Sequence, residues 1–257
     1  MNRLVRRIHR MLASRKVARM AEGHEHLTLT KLGTAHGGWL VPEEYLKPGA
    51  TAICVGAGED ISFDVELNKR GMNVVTMDPT PRAKKHVEQV MEAAKQRVVT
   101  HVGSSGGEAY DLKGFDLSRF QFLDLGVWSE EKTMRFYSPK DKSHVSHSVV
   151  NLQKTEEYFE AHCVTLKSVC ERIGTKEIDL LKMDIEGAEH EVLKSMAAEG
   201  PFAQVLCVEF DEIRNPLDDG YYERIAQSVE VLKKVGYHFV LLDESNALFL
   251  RDSRGDI

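Results

Sequence analysis

The apolar positions of this chain change their period along its length. Between residues 3 and 20, Leu4, Val5, Ile8, Met11 and Leu12 recur at helical spacing and predict an amphipathic helix. From about residue 50 onward, short β-branched runs alternate with helical patterns, the signature of a parallel sheet with helices on both faces. The runs predict core strands over 51–55, 73–77, 120–127, 178–183 and 204–210. Helices are expected over 61–69, from Pro81 onward, and over 188–197 and 221–235. Residues 237–243 and 247–251 read as a terminal antiparallel hairpin, which brings the sheet to seven strands. Residues 132–137 alternate like a strand added outside the core, and 163–165 are a shorter candidate. The segment 103–107 is a flexible loop by composition. Gly37-Gly38-Trp39 reads as the opening turn of the main unit. The chain thus divides into a helix and linker over 1–36 and one α/β domain over 37–257.

Charge sharpens this division. The first twenty residues carry seven basic side chains and no acid, whereas the whole chain carries −6. The body is therefore more acidic than the total suggests, which argues against a nucleic-acid substrate. The basic helix is either a solvated helix packed on the domain or a contact for a membrane surface or partner. Cys54, Cys163, Cys170 and Cys207 form no C-x-x-C pair, so neither structural zinc nor a disulfide framework is expected. No apolar run reaches membrane-spanning length, and the N-terminus has no central apolar stretch. A cytoplasmic protein is expected, peripheral to the membrane if the basic helix binds there. Composition leaves the oligomeric state open.

The strongest local motif is Ile53-Cys54-Val55-Gly56-Ala57-Gly58-Glu59-Asp60, with Gly56 and Gly58 on the turn between the first strand and its helix. Asp78 ends the second strand twenty positions beyond Gly58, where a carboxylate can accept bonds from both ribose hydroxyls. Together these point to a nucleoside ligand. A dinucleotide would favour glycine at position 61, which is Ile61, and would place pyrophosphate beside Glu59 and Asp60. S-adenosylmethionine carries a sulfonium and an ammonium and no phosphate, so the acids do not oppose it.

The segment Asp179-Leu180-Leu181-Lys182-Met183-Asp184-Ile185-Glu186-Gly187-Ala188-Glu189 resembles the signature of the FkbM-type methyltransferases. The resemblance runs on through Asp78-Pro79-Thr80-Pro81, Arg135-Phe136-Tyr137, Ser146-His147-Ser148 and Val164-Thr165-Leu166, and covers roughly 37–251. It departs in having Asp78 where the family often has glutamate, and in a longer 97–119 stretch. Such a resemblance implies a doubly wound, mostly parallel Rossmann-like sheet of the class I methyltransferase type. It further implies methyl transfer from S-adenosylmethionine, mainly to oxygen of a sugar or secondary metabolite, so the expected partner is a small-molecule or glycan acceptor. The cofactor would be held by Gly56, Ala57, Gly58, Glu59, Asp60, Asp78 and Asp184, with adenine contacts from Asp124 and Leu125.

The residues add a reading of the acceptor end. Asp184 ends a buried strand beside the first, and Glu186 and Glu209 can converge on the same mouth, whereas Glu189 suits capping of its own helix. An alcohol must lose its proton as the methyl moves, so a base is needed. His147 is the leading candidate, with His144, Asp184 and Glu186 as rivals. The carboxylates could hold a divalent cation, but no ligand spacing demands one, and no metal is expected. His24 and His26 read as surface residues. Two other classes stay open: a non-catalytic binding or assembly protein on the same fold, and a nicotinamide-dependent oxidoreductase. Ile61 and the lack of a Tyr-x-x-x-Lys pair disfavour the second.

Overall fold

The structure is a computed structural model that describes residues 3–23, 25, 27–96, 102–103, 108–139, 147–151 and 154–252. One sheet of seven strands organises the chain: β1 (Thr51–Val55), β2 (Asn73–Met77), β3 (Phe120–Leu123), β4 (Ile178–Met183), β5 (Ala203–Glu209), β6 (Tyr237–Asp243) and β7 (Asn246–Arg251). Their order is β6-β7-β5-β4-β1-β2-β3. Pairings from β5 through β3 are parallel, and β7 runs antiparallel to both β5 and β6. The sheet is therefore mixed, and mostly parallel.

Period-two patterning explains how both faces are covered. Ile53 and Val55 of β1 pack on one side with Val192 and Leu193 of α5 (Glu189–Glu199) and Val229 of α6 (Tyr221–Lys233). Ala52 and Cys54 face the other side, against Phe63 and Leu67 of α2 (Ser62–Lys69) and Val87 of α3 (Pro81–Lys95). Each large apolar side chain fully buried this way contributes about 1.5–3 kcal/mol. The chain winds outward from β1 to β3, then returns to β4 on the opposite side of β1. That reversal opens a crevice at the carboxyl ends of β1 and β4.

The expected strand over 120–127 is in fact two strands. β3 ends at Leu123, the Leu125 N–H turns back to the Leu123 carbonyl at 2.9 Å, and Gly126–Val127 joins a separate sheet. There it pairs in parallel with Tyr158–Val164, which pairs antiparallel with Lys132–Tyr137. The close approach needs glycine: a Cβ on Gly126 would lie 2.6 Å from Cys163 Sγ. Two of the elements that were not foreseen bear on the site and its support. One is α4 (Leu166–Ile173), capped by the Thr165 hydroxyl accepting from Ser168 N–H; the other is a hairpin, Leu29–Leu32 with Trp39–Pro42, that crosses the expected boundary at residue 37. Of the loop expected over 103–107, Gly103 instead pairs antiparallel with Ala109, and the rest lies outside the described residues, as do His24, His26 and His144.

Helix α1 (Arg3–Ala18) rests on the core through Ala13 and Val17, while Met11 and Leu12 are 45% and 56% exposed. No helix among the described residues is long and apolar enough to cross a membrane. All four cysteines are buried free thiols.

His238 on β6 ties the ends of the domain together, its Nδ1 2.8 Å from Glu22 Oε2 and its Nε2 2.9 Å from Asp252 Oδ1. Its hydrogen bond to Glu22, then that to Asp252, raises it above its ordinary 6.5. The hydrogen bond from His238 in turn lowers Glu22 below 4.5. A raised histidine stabilises fully below its unfolded pKa and loses that effect as pH rises through the folded one; the lowered Glu22 loses its share as pH falls. His238→Ala should therefore lower Tm more at about pH 6 than at about pH 9, read by calorimetry. Equal losses at both would show that the charged form does nothing for stability.

Candidate functional site

A cavity of about 480 Å³ lies over the carboxyl ends of β1, β2, β4 and β5. Its floor is the glycine turn. Gly56 adopts φ +88°, and a Cβ there would lie 1.7 Å from the Asp184 carbonyl oxygen. The Asp184 N–H donates to the Val55 carbonyl at 3.0 Å, so the main chains of β1 and β4 meet at this point.

Three side chains hold the turn. Asp78 Oδ2 accepts from the Ala57 and Gly58 N–H groups, each at 3.0 Å, and Oδ1 accepts from Thr80 N–H at 2.7 Å. A carboxylate has about four lone-pair sites. Backbone N–H groups take three of these, and the Thr80 side chain also bonds to the carboxylate, so Asp78 is spent on the turn rather than left open for the two ribose bonds expected of it. Burial raises Asp78 in spite of these bonds. From below, buried Lys182 donates to the Gly56 carbonyl at 2.5 Å and lies 3.6 Å from Asp184 Oδ2. Burial opposes its charge, but Asp184 and then Asp64 outweigh that and shift it upward. From the side, Asp60 accepts from Thr34 Oγ1 at 2.7 Å and from Ser62 N–H at 2.9 Å, pinning the early hairpin to the start of α2. That places His36, Gly37 and Trp39 in the cavity wall.

Glu59 lines the cavity with its carboxylate paired to Arg82 of α3, Oε2 to Nη2 at 2.6 Å. Asp124 and Leu125, expected near the adenine, are not among the residues that line the cavity. Asp124 pairs with Lys84 at 2.7 Å, and Leu125 packs against the core. The break after Leu123 puts Gly126 and Val127 into the wall in their place.

At the other end stand carboxylates from two neighbouring strands. Asp184, Glu186 and Glu209 all line the cavity, and Asp211 joins them. Asp184, Glu186 and Asp211 each bring one carboxylate oxygen within 4.8 Å of the others. Glu186 sits at φ +53°, a left-handed conformation unusual outside glycine, and its carbonyl accepts from the Ser148 hydroxyl. That bond holds Ser148 at the site, and its neighbour His147 lines the cavity with its ring 5.3 Å edge-on from Phe159. Glu209 accepts from Ser245 Oγ at 2.8 Å and pairs with Arg214 at 2.8 Å. Asp211 is fixed through its neighbour: Glu212 accepts from Arg224 Nε at 2.7 Å and Nη2 at 2.5 Å. Burial would raise Glu212, but Arg224 and His190 pull it down to about 2. Glu189 accepts from Gly187 N–H at 3.0 Å at the start of its own helix, and burial pushes it up to about 7. Burial, then the charge of neighbouring carboxylates, holds Glu209 and Asp211 well above the usual range.

Against this geometry, a sequence model described as the methyltransferase FkbM domain matches residues 42–239. The chain belongs to that family. Among curated proteins, no relative matches. Among solved structures, the chain is similar to the fibrillarin pre-rRNA processing protein of Methanococcus jannaschii, at 11% identity and TM-score 0.42, over 92% of this chain and 87% of that one. It is also similar to a TehB-like SAM-dependent methyltransferase from Corynebacterium glutamicum, at 13% identity and TM-score 0.34, over 80% and 82%.

The residues that sequence reasoning missed in this FkbM methyltransferase are Lys182, Asp211, Thr34, Ser62 and Arg214. A signal existed for Lys182, a charge set among the apolar residues Leu180, Leu181 and Met183. None existed for Asp211, which stands beyond a strand end and gains meaning only from its neighbours. The contact at Gly56 gives a direct test in urea unfolding. Gly49, at φ +84° with nothing within 4 Å of a built Cβ, supplies the control. Gly49→Ala should lose about 1–2 kcal/mol for its backbone conformation alone. Gly56→Ala should lose at least about 2 kcal/mol more, because β1 must also part from β4. Equal losses would mean that the two strands do not meet as described.

Proposed function

We propose that this FkbM methyltransferase moves a methyl group from S-adenosylmethionine to a hydroxyl of a small-molecule or glycan acceptor, such as a sugar or secondary metabolite. The observation that carries the reading is one cavity with a glycine turn at one end and a carboxylate group at the other. The donor set fits the cofactor. The bare Gly56–Gly58 turn lets a ligand approach the main chain, and Asp78 holds that turn in place. Glu59 and Asp60 oppose a pyrophosphate, whereas Asp184 and its neighbours favour a cationic ligand. Gly126 and Val127 would flank the adenine in place of Asp124 and Leu125.

When bound, S-adenosylmethionine supplies an electrophilic methyl whose bonding pair stays with sulfur as the acceptor oxygen attacks. The protein's part is to place that oxygen and take its proton. His147 is the base: a neutral ring nitrogen accepts the hydroxyl proton and later gives it to water. Phe159 orients the imidazole, and Ser148 ties the segment to Glu186. Asp184, Glu186 and Glu209 hold the charged mouth of the pocket. By the same reading the enzyme works in the cytoplasm and not on nucleic acid, with α1 facing an anionic membrane surface or a partner. A binding protein without turnover would have no use for a base in the wall.

The test is transfer of labelled methyl to a panel of polyhydroxylated compounds. The expected product is an alkali-stable methyl ether, and His147→Ala should lower its rate about 10²–10⁴-fold with donor affinity nearly unchanged. A variant that matches the parent across pH 6–9 would remove His147 as the base and leave the carboxylates.

A further inference from the structure

The carboxylates at the acceptor end are arranged for more than shaping a pocket. We propose that Asp184, Glu186 and Asp211 form a site for a hard divalent cation, Mg²⁺ or Mn²⁺. Their three oxygens lie within 4.8 Å of one another. Oxygen ligands on opposite sides of one hard cation stand about 4–5 Å apart, so a single ion can reach all three.

A second observation points to the same place. Asp211 is only 4% exposed, it lines the cavity, and its Oδ2 has no hydrogen-bond partner in the protein. Buried carboxylate oxygens are ordinarily bonded, because water is no longer there to solvate them. Asn246 Oδ1, another buried oxygen without a hydrogen-bond partner, belongs to a residue of the same cavity wall. Both are oxygen donors of the kind that Mg²⁺ and Mn²⁺ prefer.

The nearby protein cations have other engagements. Lys182 is drawn to the Gly56 carbonyl below the turn, and Arg214 pairs with Glu209 and Glu244. The alternative way to relieve a buried carboxylate is to protonate it, which burial of Asp211 also favours. Proton and metal ion are therefore the two competitors for this oxygen. The three ligands come from the ends of β4 and β5, and Asp211 stands 25 positions beyond Glu186 with no short motif to connect them. The absence of a ligand spacing, which argued against a metal, is thus a consequence of the fold.

Three protein oxygens leave about three positions of an octahedral ion open. Acceptors with two adjacent oxygens, such as vicinal diols or hydroxy acids, would chelate there. The ion would lower the pKa of the hydroxyl that gives its proton to His147. This use of the ion rests on the methyl-transfer reading, but the binding site does not, and it is tested without donor or acceptor. In Mn²⁺ titrations followed by electron paramagnetic resonance, the full chain should remove about one equivalent of the free-ion signal, and Mg²⁺ should restore it. Asp211→Asn and Glu186→Gln should each weaken binding at least about tenfold, the least that losing even a supporting group costs. Glu130→Gln, at an exposed residue outside the cavity, should bind like the parent. Should Asp211→Asn fail to fold, the half-exposed Glu186 carries the test. No uptake at millimolar Mn²⁺, or uptake that neither substitution changes, would overturn the site, whatever the outcome of the methyl-transfer assay.

Discussion

The rest of the site depends on one close approach, that of the Gly56 main chain to the Asp184 carbonyl. It holds β1 and β4 together where the strand order reverses, which is where a doubly wound sheet opens its crevice. Any side chain at Gly56 would push these strands apart. The turn would then lose Lys182 beneath it and Asp78 beside it. The floor of the cavity and its acidic end are consequently one construction: Asp184 fixes the turn through its backbone and faces the cavity with its carboxylate.

Burying Lys182 under this turn is costly unless its charge is answered. Asp184 stands at 3.6 Å, and Asp64 lies deeper, where burial raises it to about 6 against the pull of Lys182 and the bond from Thr76. The same lysine points over Trp39, 5.7 Å from the ring centre, so it also touches the hairpin that closes the cavity. Electrostatics thus divides the site. The floor is a balanced buried network, while the opposite end concentrates carboxylates with fewer cations, a charge excess suited to a positively charged ligand.

Much of this was legible from side-chain pattern alone. Core strands announce themselves because both faces are buried, so Ile53 through Val55 appear as an unbroken apolar run and Leu180 through Met183 as one interrupted only by Lys182. Gly56, Asp78, Asp184, Glu186 and Glu209 could be singled out because a glycine turn and strand-end acids have fixed places in such a sheet. Legibility failed where tertiary contact decides. Phe120 through Val127 reads as one strand, but Gly126 is drawn away by a second sheet whose closest partner is Cys163, far along the chain. Asp124 and Leu125 then fall on the bend, one facing Lys84 and the other the core. Asp211 carries no local signature, and Asp78 looks free for a ribose until its backbone partners are seen.

A cavity built for a phosphate-free nucleoside ligand with a cationic tail can be tested by titration calorimetry. S-adenosylmethionine and S-adenosylhomocysteine should each bind saturably at one site per chain, while NAD at the same concentrations should give no heat beyond dilution. Saturable binding of NAD, with none by either S-adenosyl compound at millimolar concentration, would contradict it.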